Sequence, residues 1–165
     1  MSLFTTEELK VAKVTGDDLP ELLSVYKACE DFLALGPDPR ASVDMIEKDL
    51  ADSRKEAGEY CTIRNSEGAL IGVIDIILKA LEPSTCYLML LMIGKPWRNK
   101  GYGRMVMVAL EEYLREQYGS KQLDAEVQTT NPKAIHFWKS FGFQISEMAE
   151  DQPDGTVTYA MTKEL

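Results

Sequence analysis

Eight consecutive apolar residues, Cys86 to Ile93, lead into the loop Gly94-Lys95-Pro96-Trp97-Arg98-Asn99-Lys100-Gly101-Tyr102-Gly103-Arg104, and an amphipathic pattern follows the loop. A membrane-spanning helix needs about 20 apolar residues, so this run is strand-sized. Being apolar at successive positions, Tyr87–Ile93 predicts a strand covered on both faces, and so a central one. The chain has 165 residues. At that size one fold removes roughly 68–70% of its unfolded surface from water, enough for a core without metal or disulfide staples. The expected organisation is a single domain over residues 1–165.

The elements around that strand follow from periodicity and punctuation. Lys10 to Thr15 alternates as a strand. Asp17-Asp18 before Leu19-Pro20 reads as a carboxylate cap with proline in the first helical turn, and Leu22, Leu23, Tyr26 and Cys29 carry the helix to about Glu30. Gly36-Pro37-Asp38-Pro39 breaks the chain before a second helix capped by Ser42, with Met45, Ile46 and Leu50 inward. Tyr60–Arg64 and Leu70–Leu78 form a hairpin around Asn65–Gly68. A helix from about Gly103 to Tyr118 repeats Val106, Leu110, Tyr113, Leu114 and Gln117, and Gly119 stops it. Leu123–Val127 is a strand and Asn131–Ser140 a helix closed by Gly142. Phe143–Met148 and Thr156–Thr162 pair around Pro153-Asp154-Gly155. The order β-αα-βββ-α-β-α-ββ is that of a mixed α/β sheet.

The loop carries the chemistry. The first amides of a helix lack intrahelical acceptors, and the helix dipole makes that end partly positive, so it suits an anion. Glycine at 101 and 103 lets a phosphate approach the backbone. Lys95, Arg98, Lys100 and Arg104 place four cations in ten residues without an acid. The ligand suggested is a phosphate ester. A P-loop is excluded, because Gly103 is followed by Arg104-Met105 rather than Lys and Ser or Thr. A dinucleotide fingerprint would want a small residue at Val106, although Asp124 lies at a suitable distance for a ribose carboxylate. A basic surface turn with no ligand is the third reading.

Arg98-x-x-Gly101-x-Gly103, after an apolar strand and before an amphipathic helix, resembles the pyrophosphate-binding loop of the GNAT acyltransferase superfamily. The stretch Glu126-Val127-x-x-x-Asn131-x-x-Ala134-x-x-Phe137-Trp138-x-x-Phe141-Gly142-Phe143 is similar to that superfamily's downstream strand–helix motif. The resemblance is specific over about Tyr87–Phe143. It implies a cleft where the fourth and fifth strands, ending at Ile93 and Val127, splay apart. Acetyl-CoA would lie there, its pantetheine arm along the backbone of Leu91, Met92 and Ile93. Its pyrophosphate would meet Arg98, Asn99, Lys100, Gly101, Tyr102, Gly103 and Arg104, and Asn131 would add a hydrogen bond. The implied activity is acetyl-CoA-dependent N-acetylation of a primary amine. A non-catalytic acyl-CoA-binding module of the same fold, or transfer of another acyl group, are the competing readings.

Amine attack on a thioester needs a general base. The resemblance puts Glu126 in that role, and Asp75, within the otherwise apolar stretch Gly72–Leu78, is the other carboxylate. Position 138, commonly a tyrosine in the superfamily, is Trp138, whose indole cannot act as an acid; Tyr87, Tyr102 and Tyr159 are alternatives. His136, the one histidine, is expected on the helix surface. Asn131 before Pro132 is in any case a helix cap. The formal charge of −9 argues against a nucleic-acid partner. The acids Glu30, Asp31, Asp38, Asp151 and Asp154 point to a cationic acceptor, such as a polyamine, an aminoglycoside or a peptide N-terminus. Cys29, Cys61 and Cys86 read as buried thiols rather than a disulfide or metal framework. MSLFTTEELK has no basic or apolar leader, so the expectation is a cytoplasmic protein without membrane or metal. The resemblance is also compatible with a homodimer.

Overall fold

The computed structural model describes residues 1–80 and 82–165. Strands β1 (Ser2–Thr5), β2 (Leu9–Lys13), β3 (Glu59–Asn65), β4 (Leu70–Ile77), β5 (Thr85–Ile93), β6 (Gln122–Gln128), β7 (Gln144–Asp151) and β8 (Val157–Glu164) form one sheet in the order β1-β2-β3-β4-β5-β6-β8-β7. Helices α1 (Leu19–Ala28), α2 (Glu30–Leu33) and α3 (Val43–Lys55) precede β3, α4 (Tyr102–Tyr118) joins β5 to β6, and α5 (Pro132–Ser140) joins β6 to β7. Strands β5 and β6 run parallel, as a strand–helix–strand crossover requires.

The two faces of the sheet bury different layers. Ile63, Ile71, Ile74 and Leu88 pack with Val106, Met107, Leu110 and Leu114 of α4 and Trp138 of α5. On the other face Tyr60, Val73 and Met92 meet Leu22, Val25 and Tyr26 of α1 and Ile46 of α3. Truncating Leu22 or Ile46, both fully buried, to alanine would cost roughly 2–5 kcal/mol. The apolar run is thus central, covered by helices on both sides.

Local chemistry explains most boundaries. The Ser42 hydroxyl accepts from the Met45 amide at 3.1 Å, and Asn131 accepts from Ala134 at 3.1 Å, so both caps form as expected. Asn65 Oδ1 accepts from Glu67 and Ala69 in the β3–β4 turn. Gly119 ends α4 at φ 60°.

Four expectations are corrected. β1 lies outside the sequence-based elements: four residues are too few for a periodic signal, and pairing with β2 makes them a strand. The first helix ends at Ala28, and Glu30–Leu33 forms its own turn. Asp18 does not cap α1; its carboxylate accepts from the Thr15 amide at 2.8 Å and pairs with Arg64 at 2.8 Å. Gln117 is exposed, while Met107 and Glu111 join the buried face of α4.

The feature that positions the site is a fork. β5 pairs β4 as far as Ile93, but pairs β6 only from Thr85↔Gln122 to Leu88↔Ala125. Beyond that point the two strands separate. Asp75 pairs Leu90 whereas Ile76 pairs Leu88, so Met89 is an extra residue, a β-bulge, at the place where β6 departs. Before the bulge Cys86 and Leu88 face α4; after it Leu91 and Ile93 do. The fork between the fourth and fifth strands of the sequence reading is therefore present, as β5 and β6.

Candidate active site

One arm of the fork ends in the basic loop. Gly94 donates to Ile71 O at 2.8 Å and Trp97 to Gly94 O at 2.8 Å, closing a short 3-10 turn over Lys95–Trp97. Asn99 then takes φ 59° and Gly101 φ 84°. The first hydrogen bond of α4 runs from Met105 to Gly101 O, 3.0 Å. Among the described residues, no acceptor takes the amides of Gly101, Tyr102, Gly103 or Arg104. These are the orphan donors of a helix start, and the first turn of α4 contains no acid to fill them.

The two glycines differ in their reasons. Gly101 needs its left-handed backbone, which β-branched residues adopt at a cost. Gly103 is helical, and a β-carbon there would meet the Phe137 ring at 3.5 Å, an ordinary contact. It faces α5 rather than the free amides, which revises the sequence reading that both glycines clear the way for a phosphate.

The loop cations also divide. Lys100 Nζ lies 5.3 Å from the Trp97 ring centroid and Arg104 Cζ 5.4 Å from that of Phe141. Arg98 is committed elsewhere: Nε donates to Ile93 O at 2.8 Å, and the guanidinium grips Asp31 at 2.5 and 3.1 Å. The Cys29 thiol also reaches Ile93 O, at 3.6 Å. Asp31 is held below the usual carboxylate range by Arg98, and burial pushes the Cys29 thiol up. Arg98 therefore ties the end of β5 to α2. Beside this pair, an opening of about 440 Å³ is lined by Lys27, Ala28, Glu30, Asp31, Lys95 and Pro96, with cations and acids in balance.

Leu91, Met92 and Ile93 lie on β5 past its last pair with β6, with β4 on their other side. Met92 is buried against α1. The edge facing the fork is thus a strand edge without a neighbouring strand.

The second arm carries acids. Glu126 is exposed and stands one residue past Ala125, the last β6 residue paired to β5. Its Oε2 accepts from Thr158 Oγ1 at 2.9 Å. Register places Asp124, Glu126 and Gln128 of β6, Thr158 of β8 and Glu150 of β7 on one face, with Tyr87 of β5 opposite Asp124. Burial first, then the charges of Glu126, Asp124 and Glu150, drive the Tyr87 hydroxyl well above its ordinary pKa. Asp124 is internally satisfied by Gln122 at 2.8 Å and Thr162 at 2.5 Å.

Asp75, the other carboxylate, is buried and accepts from Ser53 at 2.8 Å; burial raises its pKa. Trp138 is buried between Phe137 and Phe143, with ring centroids 4.9 and 5.1 Å away. Tyr102 packs on Trp97 and Tyr159 in the α4-side core, which leaves Tyr87 as the tyrosine beside Glu126. His136 is exposed. Asn131 spends its oxygen on the cap. Cys29, Cys61 and Cys86 are buried free thiols.

Sequence reasoning missed Thr158, which strand register brings to Glu126, and Gln152, which the β7–β8 turn brings to Thr158 at 2.8 Å. It also placed the acids wrongly: Asp31 is taken by Arg98, Glu30 accepts from the Ala41 amide at 3.1 Å, and Asp154 accepts from Thr156 at 2.9 Å.

A sheet forked between its two parallel strands, with free helix-start amides on one arm, offers a cleft with an anion site at its rim. The acetyltransferase (GNAT) family profile matches residues 20–143, and the chain belongs to that family. It is an acetyltransferase whose acyl donor is acetyl-CoA. Solved structures agree on the fold. An acetyltransferase from Thermus thermophilus is 25% identical, covers 100% of both chains and has a TM-score of 0.76. A spermidine N-acetyltransferase from Vibrio cholerae, in complex with CoA and spermine, is 15% identical over 96% of each chain, TM-score 0.73. An acetyltransferase from Salmonella typhimurium that modifies the N-terminal serine of ribosomal protein L7/L12 is 12% identical, covering 100% of this chain and 99% of that one, TM-score 0.80. No curated protein matches the sequence. Among the described residues no helix is long and apolar enough to cross a membrane.

Proposed function

We propose that this enzyme transfers the acetyl group of acetyl-CoA to the primary amine of a cationic acceptor, a polyamine or a peptide N-terminus. The observation that carries the reading is the fork itself, with free amides at the end of one arm and Glu126 just past the branch point on the other. The pyrophosphate would sit on the amides of Gly101–Arg104, with Asn99, Lys100 and Arg104 beside it and Arg98 holding the loop to β5. The pantetheine arm would pair along Leu91–Ile93, and Asn131 has amide protons to offer it. An amide near Ile93 would face the thioester oxygen, where charge develops during attack.

Glu126 then takes a proton from the attacking ammonium, directly or through water. The free amine nitrogen so formed bonds the thioester carbon, the C–S bond breaks and CoA leaves as a thiolate; the acylated nitrogen loses its extra proton, which the thiolate takes up, and the proton on Glu126 passes to solvent. Tyr87 stands near enough to Glu126 to join that transfer. The acids Asp124, Glu126 and Glu150 on one face favour an acceptor with positive charge beyond the reacting amine.

Calorimetry with acetyl-CoA and CoA tests the donor side: affinity weaker than about 1 mM for both would overturn it. Thiol release with spermidine, a serine-initiated peptide and an uncharged-tail monoamine tests the acceptor side. Equal turnover of all three would remove the cationic preference.

A further inference from the structure

Thr158 is a buried polar residue, 6% exposed, on the strand next to Glu126. β8 pairs β6 with Glu126 opposite Ala160 and Gln128 opposite Thr158, so Thr158 and Glu126 are diagonal neighbours on one face. The Thr158 hydroxyl contacts Glu126 Oε2 at 2.9 Å and Gln152 Nε2 at 2.8 Å. A carboxylate only accepts and an amide nitrogen only donates. The hydroxyl's one proton therefore goes to Glu126, and its oxygen receives the Gln152 N–H. Direction in this chain is fixed by chemistry: Gln152 to Thr158 to Glu126.

Gln152 is in turn held by the tight end of the hairpin. Its amide donates to Thr156 O at 2.8 Å, the Gly155 amide donates to Gln152 O at 3.0 Å, and Asp154 accepts from the Thr156 amide and hydroxyl at 2.9 and 2.7 Å. The turn thus anchors a side-chain chain that ends on an otherwise exposed glutamate. An exposed glutamate samples several rotamers unless something holds it. With Oε2 on Thr158, the carboxylate is turned so that Oε1 is left for the amine or its water, and the Tyr87 hydroxyl lies beside the same carboxylate.

We propose that Thr158, oriented by Gln152, is a positioning residue for the base Glu126. It selects Oε1 as the oxygen that receives the acceptor's proton. The inference rests on the reading of Glu126 as general base. Positioning of a base acts on the chemical step more than on substrate affinity, because it concerns the geometry of proton transfer.

The first test needs no acceptor: crystal structures of CoA-bound wild type and Thr158→Val. Valine keeps the β-branched shape and removes the hydroxyl, so Glu126 is expected to leave its wild-type rotamer. An unchanged Glu126 would overturn the inference. The second test is thiol release with spermidine and with a serine-initiated peptide. Thr158→Val should lower kcat about 10-fold with KM within about twofold, Thr158→Ser should restore it, and Thr158→Val in a Glu126→Gln background should have no further effect. A rise in KM at constant kcat, or an equal fall in the Glu126→Gln background, would show a structural role and refute positioning. If Glu126→Gln alone leaves kcat intact, the base assignment fails, a separate outcome from failure of Thr158.

Discussion

The two arms of the fork present opposite chemistry. The β5 arm ends in backbone: free amides on Gly101–Arg104, a left-handed glycine, and lysine and arginine side chains around them. The β6 arm presents side chains, Glu126 and Glu150 among them, with Asp124 and Glu126 held by Thr162 and Thr158 from the neighbouring strand. Backbone amides cannot titrate and are held in place by the helix they begin, which suits a constant group such as a pyrophosphate. Carboxylates exchange protons, which suits the reacting amine. The total charge of −9 is thus an average over a basic loop and an acidic face.

Changing one arm should leave the other intact, and the largest effect is expected at the base. Glu126→Gln should lower kcat on the order of 100-fold, within the usual range for general-base loss, while acetyl-CoA affinity by calorimetry stays within about twofold. Asp75→Asn, which keeps an oxygen for Ser53, should leave kcat within about twofold; a loss on the order of 100-fold there and none at position 126 would exchange their roles. Next comes Gly101→Val. Forcing a β-branched residue to φ 84° costs about 1–3 kcal/mol, so acetyl-CoA should bind roughly 10-fold more weakly, with melting temperature reported alongside to separate loop collapse from unfolding.

Salt probes both arms at once. Between low salt and about 0.5 M, acetyl-CoA affinity should fall and the KM of spermidine should rise, each a few-fold, because exposed charges are screened. A neutral-tailed amine should show less change in KM, measured by thiol release.

The smallest effect is at the tie between loop and helix. Asp31→Asn removes a partly exposed ion pair with Arg98, worth up to about 1 kcal/mol, or a few degrees in melting temperature. The Asp31 pKa is depressed by Arg98. Its stabilisation is therefore complete above the usual carboxylate value near about 4 and disappears as pH falls through the lower folded value. The difference in melting temperature between wild type and Asp31→Asn should be present at neutral pH and vanish at the acid end.

Much of the fold was legible because it is written in local signals. The caps at Ser42 and Asn131, the stop at Gly119 and the turn at Asn65–Gly68 act within a few residues, so their side-chain chemistry is visible in order along the chain. The loop was legible for the same reason. β1 was not, because four residues become a strand only once β2 offers an edge. Asp18 misled because two acceptable uses, capping α1 or pairing with Arg64, look identical in sequence; Arg64 is 46 residues away and decides the matter. Asp31 pairs with Arg98, and Glu30 and Asp154 accept from backbone amides, bonds that their places in the chain do not announce, and only strand register shows that Asp124, Glu126 and Glu150 share a face.

The amino-acid sequence by itself determined a central apolar strand, the glycine-bearing basic loop after it, the helix that begins there, and the family these imply. Those features depend on spacing along one stretch of chain, where helical and strand periodicity and backbone preferences operate directly. Tertiary structure decided what surrounds Glu126. The bulge at Met89 parts β5 from β6, the β6–β8 register brings Thr158 beside the carboxylate, and Arg98 turns from the open loop to Asp31. Each of these joins residues far apart in the chain, and such pairings are set by the packing of whole elements, which no local pattern encodes.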